Sequence, residues 1–192
     1  MLYTTSILKD MHSEYEKPHD RINRLVVNKK IFPVIRGLYV DDPNLNGKFL
    51  ASVIYGPSYL SFEYALSYHG LIPELAVVFS SATFMKRRRK RYDTNFGLFT
   101  YRDIPRAAYP HCIQLIIEGK FSYQIASPEK AICDHLYTIV GIDSHKRLSS
   151  LLFEDLRIEE SDFNNLNKSF LSFLAIKYQS VTLKTLHSWL RS

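Results

Sequence analysis

The chain has 192 residues, of which 46% are hydrophobic, 14% are aromatic and 23% are charged. This composition excludes an intrinsically disordered protein, and the length allows one large domain with a small module attached, because domains usually contain about 100–150 residues. We expect neither a signal peptide nor a membrane span, since no apolar run is long enough for one. The two cysteines, Cys112 and Cys133, lack the spacing of metal ligands or of a disulfide framework, so we expect a cytoplasmic protein.

Positive charge gives the first functional indication. The formal net charge is +6 and the sequence pI is about 9.2, a balance that favours polyanionic partners without naming one. Two segments concentrate the charge: residues 17–36 contain six basic residues and one acid, Asp20, and residues 86–91 are an unbroken block of six. Nucleic acid is therefore the partner to test first.

The first 42 residues predict a small helical module that ends in a hairpin. Apolar spacing indicates a helix over 5–16 and a second helix over 18–28, with a proline at its first turn. Two short β-type runs follow, over 31–35 and 38–40. Helix, helix and hairpin is the order of a reduced winged helix, which we predict for residues 1–42.

The second predicted helix has two contrasting faces. At about 100° per residue, Ile22, Leu25 and Val26 fall on one side, and a polar stripe falls on the other. In helix-turn-helix modules the second helix enters the major groove, while flanking cations hold phosphates. The residues predicted to face base edges are Arg21, Arg24 and Asn28. Those predicted to hold the DNA backbone are Lys17, Lys29, Lys30 and Arg36. The alternative is the solvated face of an ordinary surface helix.

Four segments resemble one known family. RINRLVVNKKIFPVIRGLYV, residues 21–40, is similar to the end of the winged helix in AbiE-type antitoxins of type IV toxin–antitoxin (abortive-infection) systems. Three further segments resemble the C-terminal domain of that family in order and spacing. They are YGPSYLSFEYALSYHGLIPE (55–74), FTYRDIP (99–105) and ASPEKAICDHLY (126–137). The resemblance covers about residues 20–140.

The resemblance implies a DNA-binding autorepressor that recognises the operator of its own operon. An inverted repeat in double-stranded DNA, bound by a homodimer, is the expected target. It also implies an antitoxin that counteracts a nucleotidyltransferase toxin acting on RNA, without a stable complex. One departure stands out: winged helices of the family have another short helix before the recognition helix, and the stretch from Tyr15 to Pro18 has no room for it. The shortened module would need a dimer partner or the C-terminal domain to complete its contact surface.

Residues 43–192 predict a larger α/β domain with a mixed or antiparallel sheet and C-terminal helices. A helix is expected over 57–69. The β-type runs that follow are 76–80, 96–101, 113–117 and 121–125. The later helices are expected from a Ser127 cap to Gly141, over 146–153, around 163–174, and after a Thr182 cap. Strands followed by helices indicate an α+β fold.

The second basic block consists of Lys86, Arg87, Arg88, Arg89, Lys90 and Arg91. Six adjacent cations are too densely charged to be buried without partners, so the block lies in solvent or on a polyanion. Three interpretations stay open: a solvated loop, a phosphate contact beside the winged helix, and a contact to RNA.

Two other classes of function compete with DNA binding. A metal-dependent nuclease needs acids and a lysine on adjacent strands, and Asp103 with Glu118 and Lys120 meets that minimum. The sequence Glu118-Gly119-Lys120 is, however, also typical of a turn. A protein-interaction module without DNA binding is the second alternative. We find no glycine-rich phosphate loop, metal-spaced His/Cys set or nucleophile elbow, and so predict no catalytic site, metal or cofactor.

Overall fold

A computed structural model describes all 192 residues as an α+β fold with two separate sheets. The N-terminal sheet has three antiparallel strands in the order β1-β3-β2. Its strands are β1 (Leu2–Thr4), β2 (Phe32–Ile35) and β3 (Leu38–Val40). The two helices α1 (Thr5–Met11) and α2 (Pro18–Val27) lie between β1 and β2 in the chain. The predicted helix pair and hairpin are therefore confirmed, with no further helix between α1 and α2.

The larger sheet has six strands in the order β6-β7-β5-β4-β9-β8. Its strands are β4 (Tyr59–Leu60), β5 (Val78–Thr83), β6 (Lys90–Thr94), β7 (Gly97–Asp103), β8 (Ile113–Glu118) and β9 (Phe121–Ala126). The sheet is mixed, because β5 pairs with β7 and β4 with β9 in parallel, whereas the other pairs are antiparallel.

Seven further helices cover this sheet or extend beyond it. They are α3 (Ala51–Ile54), α4 (Phe62–Tyr68), α5 (Pro128–Tyr137), α6 (His145–Ser150), α7 (Glu160–Asn165), α8 (Lys168–Ala175) and α9 (Val181–Trp189). A 3₁₀ turn over Gly47–Phe49 precedes α3, and a π-helical turn over Leu151–Asp155 follows α6. Helix α5 is central, since it packs against α4, α8 and α9. No helix of the chain combines the length and the apolar character that crossing a bilayer requires.

The chain has two hydrophobic cores, and the β2–β3 hairpin packs against both of them. Leu8, Ile22 and Ile31 form a small cluster between α1, α2 and the start of β2. The main core contains 37 buried residues, and the hairpin contributes Val34, Leu38 and Val40 to it. One side of the hairpin therefore packs on the large sheet, and a domain boundary at residue 42 stays a prediction.

The helix expected over 57–69 is wrong in its first turn. Tyr59 and Leu60 are buried and form β4, where Leu60 pairs with Ile125 and Tyr59 with Ala82. Pairing with two strands outweighs the helical spacing of the segment, so α4 begins only at Phe62. The predicted C-terminal end of this helix is confirmed, because His69 is the C-cap of α4. The Nε2 atom of His69 lies 2.8 Å from the Ala126 carbonyl oxygen.

Helix ends were predicted less well than helix positions. The first helix ends at Met11 and not near residue 16. Ser127 caps α5 as predicted, with its Oγ accepting from Lys130 N–H at 3.2 Å, but that helix ends at Tyr137. Ser180, and not Thr182, caps α9, because the Thr182 hydroxyl donates to the Ile139 carbonyl oxygen at 2.7 Å.

Candidate nucleic-acid interface

The predicted polar stripe runs along α2 from one cap to the other. Lys17 is the N-cap and Asn28 is the C-cap of the helix, and both are exposed together with Arg24. The opposite side is buried or half-buried, through Ile22, Leu25 and Val26. At about 1.5 Å per residue, the stripe is about 16 Å long. The predicted division of the helix into an apolar and a polar face is confirmed.

Arg21 differs from the rest of the stripe because it is half-buried. Its guanidinium carbon lies 5.1 Å from the centroid of the Tyr15 ring, and its Nε is enclosed without a hydrogen-bond partner. A guanidinium stacked on an aromatic face is held in place by that contact. Arg24 and Asn28 are therefore the exposed candidates for base contacts, and Arg21 borders them.

Two further cations lie in the turn after α2. Lys29 N–H donates to the Val26 carbonyl oxygen at 3.0 Å, and Lys30 N–H donates to that of Leu25 at 2.9 Å. This is the Schellman pattern of a helix end, in which glycine usually takes the left-handed position. Lys29 occupies that position, with φ of 53°. Both lysine side chains are exposed, so the turn adds two cations beyond the end of the stripe.

Arg36 lies at the tip of the β2–β3 hairpin and is exposed. The turn next to it is fixed, because the Gly37 carbonyl oxygen accepts from Thr5 N–H at 3.0 Å. Gly37 itself has φ of 87°, a left-handed conformation that favours glycine. The hairpin tip is thus tied to the start of α1 and presents one cation.

The six cations of this N-terminal surface have no acidic partner within 4.0 Å. They are Lys17, Arg21, Arg24, Lys29, Lys30 and Arg36. Elsewhere in the chain ion pairs do form, for example Lys48 with Glu118 at 2.6 Å. An unpaired row of cations leaves its positive potential available to an anionic partner.

The second basic block is divided between a loop and a strand. Arg87, Arg88 and Arg89 are exposed in the β5–β6 loop, whereas Lys90 and Arg91 begin β6. The strand was not predicted, because only Tyr92 gives it an apolar side chain. Strand β6 is an edge strand of the large sheet and packs against β2 of the hairpin. The strand that contains Lys90 and Arg91 therefore adjoins the N-terminal module.

The sheet does not bring together the residues of the nuclease alternative, which are Asp103, Glu118 and Lys120. Asp103 ends β7 and Glu118 ends β8, and three strands lie between these two in the sheet. Asp103 accepts from the Thr83 hydroxyl, whereas Glu118 accepts from the Tyr123 hydroxyl and pairs with Lys48. No group of three His, Cys, Asp or Glu side chains that could hold a metal is present. Glu118-Gly119-Lys120 is the turn of the β8–β9 hairpin, and the nuclease arrangement was wrong.

A buried polar network was not anticipated from the sequence. Lys130 Nζ lies 3.3 Å from Asp134 Oδ1, donates to the Ala108 carbonyl oxygen and donates to the Tyr178 hydroxyl. The Asp134 carboxylate accepts from three hydroxyl groups, those of Tyr59, Ser61 and Tyr178. Burial next to Asp134 raises the pKa of the Tyr59 and Tyr178 phenols, which therefore stay protonated donors. The i,i+4 spacing of Lys130 and Asp134 was the available signal.

This network is a structural element and not an open site. Lys130 and Asp134 are completely buried, and every polar group named in the network has a partner. It joins α5 to β4 and to Tyr178, which follows α8. Its role is to fix the central helix against the sheet.

Comparisons with protein-family models and with curated proteins find no match for this chain. The resemblance to AbiE-type antitoxins therefore stays a prediction that rests on its four quoted segments. Two of them, 55–74 and 126–137, meet in the buried network, since one supplies Tyr59 and the other Asp134. The segment 21–40 contains most of α2 and the whole hairpin.

Proposed function

We propose that the chain is a DNA-binding transcriptional regulator whose N-terminal residues act as a reduced winged helix. Helix α2 is the recognition helix, with Arg24 and Asn28 at base edges. The β2–β3 hairpin is the wing, with Arg36 at its tip. The observation that carries the proposal is the polar stripe of α2, which is exposed at Lys17, Arg24 and Asn28 and has no acidic partner.

Three features favour DNA over a merely solvated surface. The cations lie on one helix and on the two turns that follow it, where a duplex could contact them together. Lys29 takes a left-handed conformation that is unfavourable for a residue with a side chain. A cation directly after a helix end is favoured by the helix dipole, and a phosphate contact would add to that stabilisation. Helix α2, with ten residues and a length of about 15 Å, also suits the major groove, which admits one α-helix.

The small size of the module supports binding as a homodimer. A single short helix reads few base pairs, and two-fold symmetric half-sites one helical turn apart double the contact. An inverted repeat in the DNA upstream of the gene is therefore the proposed operator. The basic β6 edge lies near the hairpin through its contact with β2, and it could extend the phosphate contacts of each protomer.

The antitoxin activity is proposed from the resemblance alone. It predicts that an adjacent open reading frame encodes a nucleotidyltransferase-like toxin. Expression of that neighbour should arrest growth, and co-expression of this chain should restore it. Growth arrest that this chain does not relieve would refute the antitoxin part and leave the DNA-binding part standing.

The test of DNA binding compares the upstream duplex with a shuffled duplex of equal length, using fluorescence anisotropy with the full chain. A triple variant, Arg24→Ala with Lys29→Ala and Lys30→Ala, should lose operator binding. The matched control removes three exposed cations elsewhere, at Lys120, Lys146 and Lys184, and should retain preference for the operator. Equal binding of both duplexes by the unmodified chain would refute the proposal.

A further inference from the structure

A cleft of about 590 Å³ opens between the β5–β6 loop and the facing ends of α5 and α9. The loop contributes Arg87, Arg88 and Arg89, and Arg102 of β7 lies beside them. The opposite wall contains Tyr137, Val140 and Val181 among its residues. One side of the cleft is therefore cationic, and the other combines four apolar residues with the hydroxyl groups of Thr138, Ser180 and Thr182. This volume lies within the range of about 300–1,000 Å³ that small-molecule sites occupy.

The three loop arginines have no acidic partner within 4.0 Å. Asp103 is the only acid in the cleft wall, and its carboxylate is already engaged. One oxygen accepts from the Thr83 hydroxyl at 2.5 Å, and the other accepts from Arg87 N–H at 2.6 Å. Arg102 is paired with Glu63. The cleft thus has an excess of positive charge that the protein itself does not neutralise.

The loop is held in a defined but unfavourable conformation. Met85 and Arg87 have positive φ values of 57° and 54°, a region that residues other than glycine rarely adopt. Two contacts fix it: the hydrogen bond from Arg87 N–H to Asp103, and the bond from Lys86 Nζ to the Gly56 carbonyl oxygen at 2.9 Å. Backbone strain that is maintained by surrounding contacts is typical of ligand sites.

The start of α9 completes the cleft. Its Ser180 cap accepts from Leu183 N–H, which leaves the N–H groups of Val181 and Thr182 without intrahelical partners. Both residues line the cleft. Amide groups at a helix start favour anions in the same way as the arginines opposite.

We propose that this cleft binds a nucleotide that carries two or more phosphates. Arg87, Arg88 and Arg89 would hold the phosphates, since guanidinium groups bind phosphate oxygens in pairs. The aromatic ring of Tyr137 and the aliphatic side chain of Val140 would contact the base. Val140 is 90% exposed, and such a ligand would cover it.

The shape of the cleft favours a small molecule over a duplex. A double helix presents its phosphates on a convex surface, which touches an exposed edge and does not enter a concave site. The cationic side, together with a facing side that has both apolar residues and hydroxyl groups, matches a ligand with separate phosphate and base parts. This inference does not depend on DNA binding by α2.

The experiment is isothermal titration calorimetry of the full chain with four nucleoside triphosphates, inorganic triphosphate and adenosine. At least one nucleotide should bind measurably, inorganic triphosphate should bind less tightly, and adenosine, which lacks the phosphates, should bind less tightly by at least about tenfold. The double variant Arg88→Gln with Arg89→Gln should weaken the nucleotide by about tenfold or more. The control, Lys120→Gln with Lys146→Gln, removes the same charge outside the cleft and should leave binding unchanged.

Three results would overturn the inference. The first is that no nucleotide gives heat of binding at about 1 mM. The second is that the arginine variant and the lysine control lose nucleotide affinity equally. The third is that a single-stranded RNA oligonucleotide binds more tightly than any nucleotide. All four substituted side chains are exposed, so both double variants should fold, and a thermal melting curve of each variant checks this. Failure here would leave the operator-binding measurements unaffected, so the two proposals are tested separately.

Discussion

The ammonium group of Lys130 lies 3.3 Å from a carboxylate oxygen of Asp134, one turn along α5, and neither side chain is accessible to solvent. Burial of two charges is unfavourable unless each is paired and hydrogen-bonded. Both conditions hold here, since hydroxyl and carbonyl groups occupy the remaining positions around the pair. The pair therefore helps to fix the position of α5 against the sheet. Its net contribution to the free energy of unfolding is smaller than the number of its contacts suggests, because burial of the charges offsets part of the gain.

Removal of either partner alone should destabilise the protein strongly. Lys130→Met leaves Asp134 buried without its cation, and Asp134→Leu leaves Lys130 without its carboxylate. Each should lower the free energy of unfolding by about 3–5 kcal/mol, measured by urea denaturation. The double variant should be more stable than the sum of the single losses implies, because no unpaired charge remains. Strictly additive losses would contradict the role given to the pair.

Protonation of His135 should destabilise the fold in mildly acidic solution. Burial lowers the pKa of its imidazole from the ordinary value of 6.5; Glu63 opposes this shift and Arg102 adds to it. Near this pH the folded state thus binds fewer protons at His135 than the unfolded state does. The contribution of the neutral His135 side chain to the free energy of unfolding is therefore complete above the ordinary pKa and is lost as the pH falls below it. The free energy of unfolding should therefore begin to fall as the pH approaches 6.5 from above, and it should keep falling below that pH.

His135→Gln should weaken this pH dependence, since the amide does not titrate in that range. His19→Gln serves as the control, because His19 is exposed on α2. Urea denaturation at several pH values gives both profiles. An unchanged profile in His135→Gln, or an equal change in the control, would contradict the assignment.

Substitution of Lys29 should separate stability from DNA affinity. Lys29→Gly removes the side chain that makes φ of 53° unfavourable, and should raise the free energy of unfolding by about 0.5–1 kcal/mol. Operator affinity should nevertheless fall, because a phosphate contact is lost. Lys29→Ala is the matched variant: it should lose the same affinity without the gain in stability. Unaltered affinity in both variants would remove Lys29 from the interface.

Arg24 and Lys30 should differ in the kind of binding that they support. Arg24→Ala should cost about 1–3 kcal/mol at the operator and reduce the preference over shuffled DNA, as expected for a base contact. Lys30→Ala should weaken binding to both duplexes by a similar factor, as expected for a phosphate contact. Competition anisotropy with the two duplexes measures both effects. If neither variant changes operator binding, the assignment of α2 as the recognition helix is wrong.

Local patterns predicted helix α2 and the β2–β3 hairpin well, because the signals for these elements lie within a few residues. Pro18 marks the start of α2, and the spacing of Ile22, Leu25 and Val26 gives its buried side. The missed elements depend on distant partners. Strand β1 is ordered by pairing with β3, and β4 is ordered by β5 and β9 on either side. A three-residue or two-residue strand has no period of its own to detect.

The candidate functional residues also fall into those that a local pattern predicts and those that depend on distant contacts. The stripe of α2 follows from helical periodicity, which a sequence contains. The stacking of Arg21 on Tyr15 was not predictable, because it depends on how the chain turns between α1 and α2. The cleft beside Arg87 requires loop, sheet and two helix ends to meet, and residues as distant as Arg87 and Val181 line it together. The basic block alone could therefore indicate an anionic partner but not its shape.

The salt dependence of operator binding tests the central claim most directly. Four side chains are assigned to phosphates, Lys17, Lys29, Lys30 and Arg36, so the slope of log K against log salt should be about −4 per protomer. Lys30→Ala should make that slope less steep by about 1. A slope of this size, together with preference for the upstream inverted repeat over shuffled DNA, is the predicted result. A slope near zero, or equal affinity for the two duplexes, would contradict the account.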